Sequence, residues 1–170
     1  MSSGFTGLCG NPTDQVTVLN AVIALLQAGV PKLAGPNTCF LSMDTEPLGN
    51  QRQNIYGTVC PMGGSYDGEL FDGGAEAVEH SGVIVTVFSA MKLDRADADV
   101  AMLTDASRGL LGLKQQVLKS LVGKMLVDQS SNNILLRPMR PLQADHPNRH
   151  NDTKGKFSLM FETIFQWNLN

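Results

Sequence analysis

Residues 83–90 read Val-Ile-Val-Thr-Val-Phe-Ser-Ala, a β-branched and nearly continuous apolar run. Such a run fits a central strand covered on both faces, because polar alternation is required only where one face meets water. A central strand needs neighbours on each side. The best candidate is the stretch 157–169, in which Phe157, Leu159, Phe161, Thr163, Phe165 and Trp167 fall on one face. This alternation predicts a long terminal strand, and aromatics in that pattern are more often core than interface. Residues 38–44 alternate too, with Cys39, Leu41 and Met43 on one side and Phe40 between them, until Pro47, Gly49 and Asn50 break the run. Residues 54–60 give a weaker strand, and 133–137 a short one closed by Pro138.

Two segments carry the helical period instead. Thr13 and Asp14 supply N-cap oxygens, and Val16, Leu19, Ile23 and Leu26 follow at spacings of three and four before Gly29 and Pro31. This predicts an amphipathic helix over 14–28. A second helix is expected over 107–125, with Leu110, Leu113, Val117, Leu121 and Met125 as its stripe and Lys114, Gln115, Lys119 and Lys124 outward. Its late lysines suit the negative end of the helix dipole, while Gly109, Gly112 and Gly123 each weaken it by about 1 kcal/mol. Residues 94–105 read as a polar linker with a short helical turn near Val100, and 142–155 as a polar loop.

The expected fold is α+β: a mixed, mostly antiparallel sheet with two main helices packed on one face. At 170 residues the default is one domain spanning 1–170, long enough to bury about 70% of the surface its unfolded chain exposes. Residues 1–12 read as an irregular arm. Residues 47–80 read as a long Gly-rich, acidic loop, with 61–74 its densest part. A loop of that length is usually functional or disordered.

Apolar residues make up 42% and charged residues 17% of the chain, a globular balance with little charge. Few charges and 17 Gly fit either a surface meant to be covered by a partner or simply a quiet one. The net charge of −3 gives no basic field for nucleic acid. Its distribution is uneven. Up to Met91 there are two basic and eight acidic residues, and from Lys92 onward eleven and eight, so the two parts carry −6 and +3. Either the signs mix once the chain folds, or they match opposite sides of neighbouring subunits in a head-to-tail ring. Cys9, Cys39 and Cys60 form no CxxC pair and are odd in number, which predicts reduced thiols in a cytosolic setting rather than zinc or a disulfide scaffold. The first residues lack the basic and apolar parts of a signal peptide, and no run approaches the ~20 apolar residues of a membrane span.

No catalytic pattern emerges. Around Gly63-Gly64-Ser65-Tyr66 the glycine expected two residues after the serine is Asp67, so no nucleophile elbow forms. Residues 121–125 lack the earlier glycine and the hydroxyl of a phosphate loop. His146 and His150 are four apart, but Pro147 and the polar residues around it argue against the helix that would put both rings on one metal. His80 has no evident partner and is expected to be exposed. Asp94, Asp97 and Asp99 read as a solvated charge run. The acids Glu69, Asp72, Glu76 and Glu79 are either a solvated loop or a surface facing a partner or pore. Arg137 and Arg140 stand just past a strand, where they serve as surface charges or as bidentate contacts to a neighbour's carboxylates. Asp67, Glu69, Asp72, Glu76, Arg137 and Arg140 are therefore the candidate interface residues. No catalytic, cofactor or metal position is expected.

The order of elements resembles the tail-terminator (minor tail protein U-like) proteins of long-tailed bacteriophages. An early amphipathic helix is followed by the strong strand at 83–90, a linker, the Leu-rich helix from Gly109 to Leu121 and closing strands at 133–138 and 156–167. The resemblance covers 14–45 and 81–170. The 47–80 segment is longer and richer in glycine than that family's pattern, which leaves room for a related neck protein, a head-completion or head–tail adaptor. The resemblance implies a structural virion protein with no active site and no cofactor. It also implies a hexameric ring that caps the tail tube and docks the tail onto the head connector. Its partners would be copies of itself, the tail tube protein and the connector, with DNA passing through the lumen without sequence-specific contacts. Assembly would occur in the host cytoplasm. A small ligand-binding or accessory domain with a lid at 61–74 is the alternative from another class.

Overall fold

The computed structural model describes residues 10–45, 54–67, 70–71, 74–75, 78–90, 98–151 and 153–168. Asp14 opens the first helix, α1 (Gln15–Gly29), by accepting the Thr17 N–H at 2.8 Å. This satisfies one of the first-turn donors that the helix itself leaves bare. The helix ends where Pro31 begins a short 3-10 turn. Its buried face is Val18, Leu19, Val22 and Leu26. Val16, expected on that face, is 59% exposed. Leu19 and Leu26 recur at a spacing of seven, which two different apolar stripes share, and packing selects the one through Val18 and Val22.

The sheet order is β1 (Cys39–Leu41), β2 (Ile55–Asp67), β5 (Val78–Ala90), β8 (Lys154–Gln166) and β6 (Arg140–Ala144), with β7 (Asn148–Asn151) also paired to β8. β1 and β2 are parallel and all the other pairs antiparallel. β5 is thus the central strand that its composition requires. Val83, Val85 and Val87 stand opposite Phe161, Leu159 and Phe157 of β8, and all six are buried. Helices α1 and α3 (Leu110–Leu121) pack against each other and against this face, while α2 (Ala98–Thr104) packs on α3. The expected α+β arrangement, with the main helices on one face, is the observed one. The opposite face is held by an aromatic stack. Phe40 lies 6.2 Å from Tyr56, Tyr56 lies 4.6 Å from Phe88, and the His150 ring meets Phe88 edge-on at 5.2 Å. Lys154 Nζ sits 5.2 Å from the centre of the Tyr56 ring, within cation–π range.

Four local expectations change. The Gly-rich stretch after Pro61 is strand, not loop, as far as Asp67. Past a bulge between Met62 and Ser65 the pairing resumes with Ser65, Tyr66 and Asp67 opposite His80, Glu79 and Val78. Gly64 makes this possible, since a Cβ there would collide with the His80 carbonyl oxygen. Beyond it, β3 (Leu70–Phe71) and β4 (Gly74–Ala75) form a separate two-residue pair. In the second helix, Gly109 is the N-cap and Gly123, at φ +72°, lies just past the C-cap Val122. Only Gly112 is inside the helix, so two of the three glycines terminate it rather than weaken it. Residues 133–137 are no strand. The Ile134 N–H bonds to the Leu126 carbonyl and the Leu136 N–H to that of Ile164, two different neighbours instead of one ladder. Residues 142–155, expected as a loop, hold most of β6 and all of β7. Their polar composition is that of an edge, and β6 is exposed throughout.

Candidate interface surface

The sheet has two lateral margins, and the candidate residues divide between them. Asp67 ends β2 opposite Val78. Glu69, Asp72 and Glu76 lie outside the described residues. Glu79, read with them as a surface acid, is 4% exposed and accepts the Trp167 indole N–H at 2.7 Å. It follows the inward alternation of β5 with Ser81 and Val83, all three buried. Ser81 pairs its hydroxyl with that of Thr163 at 3.3 Å, so this end of the sheet is held by polar contacts between β5 and the chain's last described turn of strand.

On the other margin, Arg137 is exposed and Arg140 begins β6. Arg140 Nη2 lies 3.1 Å from Glu162 Oε1, with 66% and 23% of the two side chains exposed. At that exposure the pair contributes at most about 1 kcal/mol, and it orients the guanidinium across the strands. The structure therefore sets Arg140, on β6, and Asp67, on β2, at opposite sides of the sheet. Sequence reading missed Glu162, Asp99 and Trp167 as partners. They lie 22, 50 and 88 residues from Arg140, Arg149 and Glu79, and no local spacing signals such pairs.

The remaining chemical groups do not converge. His146 is exposed in the turn before β7, and the His150 ring packs on Phe88. His80 is half-buried in β5 rather than exposed. Asp94 and Asp97 lie outside the described residues, and Asp99 carries an ion pair with Arg149. Burial pushes the Cys39 thiol up to about 12 and raises that of Cys60, with the nearby Asp44 charge adding to the latter. Among the described residues, no three His, Cys, Asp or Glu side chains gather as a metal site, and no helix is long and apolar enough to cross a membrane. An open groove of about 260 Å³ lies between α2 and β7, floored by Met102 and Leu110 and rimmed by the Asp99–Arg149 pair.

The fold defines a class first: an α+β protein with its main helices on one face of a mixed, mostly antiparallel sheet. Within that class the chain is similar to a chain of a solved structure described as "Virion of native gene transfer agent (GTA) particle". The TM-score is 0.52 at 17% identity, covering 89% of this chain and 96% of that one. At this identity the likeness establishes a shared fold. No family model matches the chain, and no curated protein does.

Proposed function

We propose that this chain is a structural virion protein, a subunit of a ring that terminates a phage-type tail tube and joins it to the head connector. The observation that carries the reading is the near end-to-end likeness of fold to a chain of a virion particle. The order of elements, which resembles tail terminators, supports the same class. In this reading the chain is not an enzyme. It takes no cofactor, forms a ring of six copies and contacts the tail tube protein on one side and the connector on the other. DNA passes through the lumen, and the protein resides in the neck of the particle after assembly in the host cytoplasm. A head-completion or adaptor protein occupies the neighbouring position in the same neck and is the second reading, favoured by the unusual length of the 47–80 segment.

Native mass spectrometry of the purified chain tests this, alone and after mixing with tail tube protein or with connector protein. A ring that forms alone or on adding tube supports the terminator. A ring recruited only by connector supports the adaptor. A monomer that ignores both and gains thermal stability from a small molecule would sink both readings in favour of a ligand-binding domain, with the α2–β7 groove as its site.

A further inference from the structure

We draw no further inference here: the strongest candidate, the open groove of about 260 Å³ between α2 and β7 floored by Met102 and Leu110, has a rim on which Asp99 and Arg149 neutralise each other, and nothing in the structure shows what covers it.

Discussion

Trp167 donates its indole N–H to a carboxylate oxygen of Glu79 at 2.7 Å, joining the residue just past β8 to the start of the central strand β5. Glu79 is 4% exposed, so this bond compensates part of the cost of removing a carboxylate from water. Trp167→Phe keeps most of the apolar area, which packs on Phe165 at 5.6 Å, and deletes the donor. The expected loss is about 1–3 kcal/mol, or roughly 2–10 °C in Tm by calorimetry. Glu79→Gln retains an acceptor and should cost less. An unchanged Tm for Trp167→Phe would mean that the bond contributes nothing net.

The face of α1 is tested by a pair of truncations. Leu26 is fully buried and Val16 is 59% exposed. Leu26→Ala should destabilise by about 2–5 kcal/mol in urea titration, and Val16→Ala by no more than about 0.5 kcal/mol. Similar values for both would place Val16 in a contact absent from the isolated chain, such as a subunit interface.

Two adjacent glycines make different demands. A Cβ on Gly64 would meet the backbone of His80 and Ser81, whereas one on Gly63 meets nothing within 4 Å. Gly64→Ala should break the pairing beyond the bulge and raise amide hydrogen exchange at Tyr66, Asp67 and Glu79. Gly63→Ala should leave those rates alone. Equal protection in both variants would show that the arm tolerates the displacement.

Acid should loosen two turns. The Asp105 carboxylate accepts first from the Ser107 N–H, then from the Ser107 hydroxyl and the Arg108 N–H, and these bonds hold its pKa below the usual carboxylate range. The Asn132 backbone N–H, then its side-chain amide, then the Ser130 N–H do the same for Asp128. Because the folded pKa is the lower one, each contribution is complete above the unfolded pKa and vanishes as pH falls through the folded one. NMR titration should find both midpoints below that of an unstructured aspartate. Midpoints at the ordinary value would remove these turns from any account of acid sensitivity.

Burial pushes the Cys39 thiol up to about 12, so at pH 8 almost none of it is thiolate. Peptide mapping after brief maleimide treatment of the native protein should find Cys39 unmodified, and labelled once urea unfolds the chain. Rapid native labelling would imply that β1 opens frequently.

Periodicity alone determined the regular elements whose apolar side chains face one core. The alternation through Phe157, Phe161 and Phe165, the β-branched run at 83–90 and the stripe of Leu110, Leu113, Val117 and Leu121 each state their own geometry, because burial acts on every second residue of a strand and on every third or fourth of a helix. Tertiary structure decided what depends on a partner distant in sequence. The stretch from Gly63 to Asp67 is strand because β5 lies beside it, and Gly64 can approach that strand only because it lacks a Cβ. β6 and β7 are strands because β8 offers its edge, although all their residues but His150 are exposed and no buried apolar alternation marks them. Glu79 belongs to a run of acids by composition and to the interior by the alternation of β5, with Trp167 supplying its bond. Hydrogen bonding across a sheet is satisfied by whatever strand arrives, so edge strands and buried charges carry little local signal, whereas apolar burial is written residue by residue.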